Sequence, residues 1–173
     1  TFPVKDVSVK VENMTPIAKD NSTMKDMDAT VVYNINPQSV SELYVSKNRS
    51  FHEMNNEDIF LMYNYVHQIA RNAIYKSTRK YEALEMNDNR QSIETEVREL
   101  MIKALAEEKL DAAISINQVL IRAIVPADSV VQSANDLVRA KNEFKQKEVE
   151  VQTAKKEAER IAALNSNKGA TEY

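Results

Sequence analysis

The 173-residue sequence predicts an α+β fold, in which a small antiparallel sheet with packed helices precedes a long C-terminal helix. Three observations lead to this prediction. Near the N-terminus, apolar and polar residues alternate in two segments, which is typical of half-buried strands. In the middle of the chain, apolar residues recur at helical spacing. Residues 127–167 contain neither glycine nor proline, which predicts one continuous helix.

The two N-terminal strands are predicted to form a β-hairpin. Val7–Val11 alternates apolar and polar residues with a period of two. The turn-forming residues Asp20–Thr23 separate it from a second alternating segment. We expect one face of that segment to be buried, and this face carries Met27, Ala29, Val31, Tyr33 and Ile35.

Asn36 and Pro37 mark the change from strands to helices. Asn favours the N-cap position and Pro the first helical position, so a short helix is predicted over Pro37–Val45. A second helix is predicted to start at Asn55–Asp58, because acidic residues are favourable in a first turn. Its apolar stripe consists of Ile59, Met62, Val66, Ile69, Ala73 and Ile74.

Two further helices are predicted before the last strand. Ser77–Met86 is expected to be a short helix with Tyr81 and Leu84 directed inward. Asn87–Asn89 then caps a long helix that runs to about Leu110. The buried face of this helix is predicted to contain Ile93, Val97, Leu100, Met101, Ala104 and Leu105.

The C-terminal part of the chain combines a strand with an unusually long helix. Ile114–Val125 alternates as a strand should and ends at Pro126. A helix over residues 127–167 would span about 60 Å. That is far longer than a body of residues 1–126, whose radius of gyration should be about 14 Å. We therefore expect the helix to need a partner, with residues 168–173 as a truncated tail.

A weak heptad seam runs along the predicted long helix. Taking Val130 as position a, the d positions include Ala140, Lys147 and Ala154 as well as Ser133, so the seam is narrower than that of a stable two-stranded coiled coil. The alternative is a solvated single helix held by pairs such as Lys147 with Glu150. The predicted oligomerisation seam contains Val130, Leu137, Phe144, Val151, Ala158 and Ile161.

Composition argues against several functional classes. The net charge of −3 is unfavourable for a general nucleic-acid-binding protein. The chain contains no cysteine, which excludes disulfides and thiolate zinc sites. Its single glycine, Gly169, excludes glycine-rich phosphate-binding loops. No apolar run approaches the roughly 20 residues of a membrane span.

The sequence does not predict a catalytic, cofactor-binding or metal-binding residue. His67 lies in an apolar helical setting and is interpreted as a partly buried structural histidine, whereas His52 is placed in a polar loop. One His–Glu pair is too few ligands for a metal site. The basic residues Arg71, Lys76, Arg79 and Lys80 are interpreted as a solvated face, with contact to anionic lipid headgroups as the alternative. An enzyme would need a deep pocket around one of the histidines.

Four segments, in order, resemble the SPFH or Band 7 family, which includes the stomatins, prohibitins and flotillins. Val7–Val11 and Met27–Pro37 resemble its opening strands, and Ile93–Val97 lies within its long helix. Val119–Ile124, followed by Pro126 and Val130, is similar to its late strand and the turn into a helix. The resemblance covers essentially the whole chain and is closest to the prohibitin branch.

The resemblance implies a membrane-associated scaffold that oligomerises into ring or cage assemblies, either as a homo-oligomer or with a paralogue. Such proteins organise membrane regions, and prohibitin-like members modulate membrane-bound AAA+ proteases. It implies membrane attachment through an N-terminal segment that this sequence lacks. From the composition we expect no nucleic-acid partner and no cofactor. The alternative function is a regulatory protein-binding module that acts without higher-order assembly.

The sequence departs from the family pattern at two places. Relatives commonly place a glycine where the long helix hands over to the late strand, whereas this chain has Leu110–Ile114 there. A different local turn is therefore expected. The chain starts with Thr1, and Phe2–Val4 is predicted to be an extended segment already under way. We expect the sequence to be part of a longer protein.

Overall fold

The computed structural model describes residues 5–55 and 58–171, with side chains described as far as residue 166. The chain divides into two compact units, residues 1–130 and 131–173. The predicted α+β class is confirmed. In chain order the elements are β1 (Val7–Met14), β2 (Asp26–Ile35), α1 (Val40–Ser46), β3 (Glu53–Asn55), β4 (Asp58–Phe60), α2 (Tyr63–Thr78), α3 (Arg90–Glu107), β5 (Ile114–Val125) and α4 (Asp128–Thr171).

The main sheet has three antiparallel strands in the order β1-β2-β5. The predicted hairpin and the predicted late strand are both confirmed. β1 continues past Val11 because a bulge, with Asn13 at a φ of 58°, shifts its register before Met14 pairs with Met27. The predicted inner face of β2 is buried over its whole length, and Tyr33 there donates a hydrogen bond to the Leu61 carbonyl (2.8 Å).

Helices α2 and α3 pack together and cover the inner face of the sheet. α3 buries one residue per turn against it, as helical periodicity predicts. The fully buried residues of α3 are Ile93, Val97, Met101 and Leu105. Those of α2 are Val66, Ala70, Ala73, Ile74, Ser77 and Thr78. This layer forms the single hydrophobic core of the first unit.

The predicted helix start at Asn55–Asp58 is wrong. Glu53–Asn55 and Asp58–Phe60 pair as a short antiparallel hairpin, and residues 56 and 57 lie outside the described residues. Ile59 therefore belongs to a strand, and the helix begins only at Tyr63. The reason is Met62, whose left-handed backbone (φ 62°) sharply separates β4 from α2.

The predicted helix over Ser77–Met86 is also wrong. α2 continues to Thr78, and a single 3₁₀ turn follows at Ala83–Glu85. The tighter turn buries Ala83 and Met86, three residues apart, and leaves Leu84 48% exposed. Tyr81 is partly buried against the core, as expected.

The other helix predictions are close to the structure. Asn36 accepts a hydrogen bond from the Gln38 amide and begins a 3₁₀ turn that leads into α1. α3 begins after Asn89, as predicted, but ends at Glu107 rather than Leu110. Lys109, with a φ of 59°, makes a left-handed turn after α3, just before the stretch Leu110–Ile114 where a different local turn is expected.

Side chains close the free edge of β5. Glu94 of α3 accepts a hydrogen bond from the Ile121 amide (2.9 Å). Arg98, one turn further on, donates from Nε to the Ile116 carbonyl (3.0 Å). Asn87 donates to the Ile124 carbonyl (3.3 Å). These contacts occupy backbone groups that an added strand would otherwise use.

Two polar contacts cross the outer face of the sheet. The Asp6 carboxylate accepts hydrogen bonds from Asn34 on β2 (3.2 Å) and Asn117 on β5 (2.9 Å). Nearer the other end, Arg122 of β5 forms an ion pair with Glu12 of β1 (3.0 Å). Polar side chains on the outer face therefore bond one another at both of these places.

The last element, α4, contains 44 residues and extends past its predicted end at Asn167. Its length corresponds to about 66 Å. At its start, the Lys25 ammonium pairs with Asp128 (3.3 Å), an acidic residue in the first turn. The Lys25 amide also donates to the Val125 carbonyl (2.9 Å). These contacts fix the turn from β5 into the helix.

Candidate functional site

The long helix α4 carries many large apolar side chains that face solvent. Leu137 is 57% exposed, Phe144 64% and Val151 64%. Burying such side chains is the main source of association energy in proteins. A helix that exposes several of them along its length has the character of an interaction surface.

The predicted seam residues occupy different environments. Val130 is partly buried against the core of the first unit, so only part of its side chain is available to a partner helix. The five others are exposed: Leu137, Phe144, Val151, Ala158 and Ile161. Whether they form an oligomer contact stays a prediction at this point.

A second apolar stripe was missed because its members do not occupy the a and d positions of the heptad. Val131 (38%), Val138 (56%) and Val149 (61%) are exposed. At about 100° per residue they lie within about 20° of one another around the helix. They are about 100° away from the first stripe at Leu137 and Val138, and about 160° away from it at Val149 and Val151. The spacing of eleven residues between Val138 and Val149 is the sequence signal that could have found it.

The ion pairs of α4 are few and exposed. Over residues 128–166, within-helix pairs form between Asp136 and Arg139 (3.8 Å) and between Glu157 and Arg160 (2.8 Å). The pair suggested between Lys147 and Glu150 does not form within 4.0 Å. Exposed pairs of this kind stabilise a helix by only about 0.3–0.5 kcal/mol each. Charge pairing alone therefore gives weak support to a solitary solvated helix.

His52 lies in a setting that the sequence did not indicate. Its side chain is 6% exposed, not in a polar loop, and its ring stacks near Tyr44 with centroids 6.4 Å apart. Nδ1 accepts a hydrogen bond from the Met62 amide (2.9 Å), so the neutral ring carries its proton on Nε2. Burial lowers the pKa of His52. The residue fixes the start of α2.

Neighbouring contacts hold the same region. Asn64 donates from Nδ2 to the carbonyl oxygens of Ser50 (3.1 Å) and His52 (3.2 Å). These bonds join the turn before β3 to the first turn of α2. The role of these two side chains is structural, because the bonds of Asn64 Nδ2 and His52 Nδ1 are all to backbone groups.

His67 is half-buried on α2, as predicted. Its pKa is lowered, chiefly by burial and secondly by the positive charge of the nearby Arg71. Neither histidine belongs to a metal-binding cluster: within residues 5–55 and 58–171, no group of three or more His, Asp and Glu side chains could hold an ion. A cleft of about 390 Å³ lies beside α1, and neither histidine lines it. Its lining includes Glu42, Lys47, Glu108 and Lys109.

Two of the four residues of the predicted basic face, Arg71 and Lys80, make contacts within the body. Arg71 lies 4.9 Å over the Tyr75 ring and donates to its hydroxyl, which also accepts from the Thr15 amide (3.0 Å). Lys80 pairs with Glu96, a carboxylate that also accepts from the buried Ser77 hydroxyl (3.0 Å). These residues join α2 to its neighbours.

Comparison with known proteins adds the family. A family model described as SPFH domain / Band 7 family matches residues 1–158. The chain belongs to the SPFH/Band 7 family. SPFH proteins are generally membrane-associated scaffolds without catalytic activity. A search of curated proteins finds no match.

The SPFH match covers the whole first unit and most of α4. It identifies the family and not a branch within it, so the closer resemblance to prohibitins stays a prediction. In the part of the chain that the structure describes, no helix is both long enough and apolar enough to cross a membrane.

Proposed function

We propose that this SPFH chain is part of a membrane-associated scaffold, and that α4 packs side by side with α4 of further copies. The observation that carries this proposal is the pair of exposed apolar stripes on one helix. A helix with a single stripe is suited to one neighbour. Two stripes that lie about 100–160° apart are suited to a neighbour on each side, as in the wall of a ring or cage.

The energetics favour assembly over a solitary helix. Complete burial of a large apolar side chain contributes about 1.5–3 kcal/mol. Since Leu137, Phe144 and Val151 are more than half exposed, their burial would contribute about 1–2 kcal/mol each. Most helical stability in proteins comes from packing an apolar face rather than from intrinsic propensity.

The resemblance to the prohibitin branch extends the proposal to partners. On that basis the assembly includes further copies of this chain or a paralogue, contacts the membrane through a segment preceding Thr1, and modulates a membrane-bound AAA+ protease. The scaffold supplies binding surfaces and membrane organisation, and it requires no catalytic residue.

Light scattering of the full-length, membrane-anchored protein tests the proposal. Phe144→Asp places a charge in the first stripe and should weaken association at least about tenfold, equivalent to about 1.4 kcal/mol. Gln146→Asp is the matched control, because it adds the same charge to an exposed position outside both stripes. A full-length protein that stays monomeric at all concentrations would refute assembly.

The alternative, a regulatory module that binds a partner through its body, has one observation in its favour. Val45 on α1 is 82% exposed and the adjacent Tyr44 is 48% exposed, which is unusual for apolar side chains on so short a helix. If Val45→Asp abolishes partner capture while Phe144→Asp leaves it intact, the regulatory module replaces the scaffold. The reverse pattern supports the scaffold.

A further inference from the structure

The His52 ring occupies a site that suits only its neutral form. The side chain is 6% exposed and lies between Tyr44 of α1 and the start of α2. Nδ1 accepts a hydrogen bond from the Met62 amide (2.9 Å), so this nitrogen carries no proton. In the part of the chain that the structure describes, Nε2 has no hydrogen-bond partner. The bond to Met62 is thus the one polar attachment of the ring among the described residues.

A second proton on the ring would reverse the polarity of this attachment. Both nitrogens of an imidazolium ion are donors, so Nδ1–H would face the Met62 N–H, which is also a donor. Met62 holds a left-handed backbone (φ 62°), which persists only where its surroundings support it. The new charge would in addition be buried, and burial disfavours the charged form of a histidine. Protonation therefore breaks the attachment and penalises the buried position of the ring at the same time.

The charged groups around His52 do not compensate for such a charge. Within the described residues, no carboxylate forms an ion pair with His52 at 4.0 Å or less. Burial lowers the pKa of His52, and the Leu43 backbone acts in the opposite direction although Nε2 stays without a hydrogen bond. The titratable residues on the elements around the ring are Glu42, Tyr44 and Lys47 of α1, Arg49 before β3, Glu53 of β3, Asp58 of β4, and Tyr63 and Tyr65 of α2.

The contact that His52 closes can open without unfolding the main sheet. Besides the His52 ring, Asn64 joins the turn before β3 to the first turn of α2. The sheet is held separately, by its own strand pairing and by side chains of α3. Local openings of this kind require less free energy than global unfolding. Departure of the ring would bring the fully buried Met62 into contact with solvent and add apolar surface near the exposed Tyr44.

We propose that His52 is a pH-sensitive switch: a proton on Nδ1 releases the ring from the start of α2 and exposes Met62, while the three-stranded sheet and α3 stay folded. In the open form the histidine has its ordinary pKa of about 6.5, whereas in the closed form its pKa is lower. As the pH falls, the open form therefore takes up the proton first. Below about pH 6.5 the opening equilibrium should increase by up to tenfold per pH unit, until the pH reaches the lowered pKa. The switch lies within residues 1–130 and does not depend on the proposed packing of α4.

Hydrogen exchange of the 173-residue chain, followed by NMR from about pH 7.5 to about pH 4.5, tests the switch. After correction for intrinsic exchange, the protection of the Met62 amide should fall by up to about tenfold per pH unit below about pH 6.5. The amide of Val31, in the central strand β2, should keep its protection. An equal loss of protection at both amides would be global acid unfolding and would overturn the proposal.

Two substitutions separate His52 from the other histidine. His52→Asn retains an acceptor oxygen for the Met62 amide but takes up no proton in this pH range, so the pH dependence of Met62 protection should disappear. His67→Gln is the matched control, because it removes the half-buried histidine of α2 and should leave that pH dependence in place. If His52→Asn loses Met62 protection in acid as the parent chain does, His52 is not the switch.

Nitrogen-15 NMR of the imidazole rings in the parent chain requires no substitution and so does not depend on the folding of a variant. At about pH 7.5 the His52 ring should carry its proton on Nε2 and none on Nδ1. On acidification, its protonation should coincide with the loss of Met62 protection. A proton on Nδ1 at neutral pH, or a charged His52 beside a Met62 amide that is still fully protected, refutes the proposal.

Discussion

His52 is the residue whose replacement should most directly disturb the body of this protein. Its Nδ1 is the acceptor for the Met62 amide, and both residues are buried. His52→Leu keeps a side chain of comparable size but offers no acceptor. The Met62 amide would then remain buried without a hydrogen bond at the start of α2.

The expected cost follows from the groups involved. Leaving one buried donor unsatisfied costs about 1–3 kcal/mol. Met62 also holds a left-handed backbone, which costs a bulky residue about 1–2 kcal/mol even in the native protein. The His52 bond helps to hold this conformation, so we expect a loss of about 2–3 kcal/mol in the free energy of unfolding. His52→Asn is the control, because its amide oxygen retains an acceptor.

Urea unfolding followed by near-ultraviolet circular dichroism of the tyrosines measures this loss in the body, whereas the far-ultraviolet signal would be dominated by α4. Hydrogen exchange at the Met62 amide supplies the local readout. The reasoning fails if His52→Leu unfolds at the same urea concentration as the parent protein and the Met62 amide exchanges at an unchanged rate.

Three further predictions concern the body. Burial lowers the pKa of both His52 and His67 below the usual value of about 6.5. The free energy of unfolding should therefore decrease as the pH falls from about 6.5 through these lowered pKa values, because the unfolded chain binds protons first. Urea titrations of His52→Asn should show a smaller decrease. Glu94→Ala leaves the Ile121 amide without its acceptor and should cost about 1–3 kcal/mol in urea unfolding, whereas Glu94→Gln should retain most of the stability. Arg122→Ala breaks a half-exposed ion pair with Glu12 and should change thermal stability by less than about 1 kcal/mol; a larger loss would show that the contact across the sheet has a greater role.

The parts of the fold that follow local rules could be predicted from the sequence. The burial of alternate residues in β2 follows from strand periodicity, because helices cover only one face of the sheet. The long C-terminal helix follows from a stretch without glycine or proline before Asn167. Asn36 and Pro37 correctly indicated the start of helical structure.

Features that depend on tertiary contacts could not be predicted. No local signal places Met62 in a left-handed conformation, and without that knowledge the acidic residues around Asp58 resemble a helix start rather than a hairpin. His52 is buried among residues distant in sequence: it accepts a hydrogen bond from the Met62 amide at the start of α2, and its ring stacks near Tyr44 of α1. On α4, the heptad pattern identified one exposed stripe, but Val138 and Val149 follow a different period.

The near-absence of glycine determines where the body carries the cost of its turns. Gly169 lies in α4, so the left-handed positions of the body are held by Asn13, Asn21, Met62 and Lys109. A glycine at such a position leaves the native backbone relaxed but gives the unfolded chain more conformations to lose. With Lys109 the unfolded chain has fewer conformations to lose, but the left-handed native turn is less stable by about 1–2 kcal/mol. At the end of α3, this chain thus makes a left-handed turn without glycine, and the cost of the turn lies in the energy of the folded state rather than in the entropy of the unfolded one.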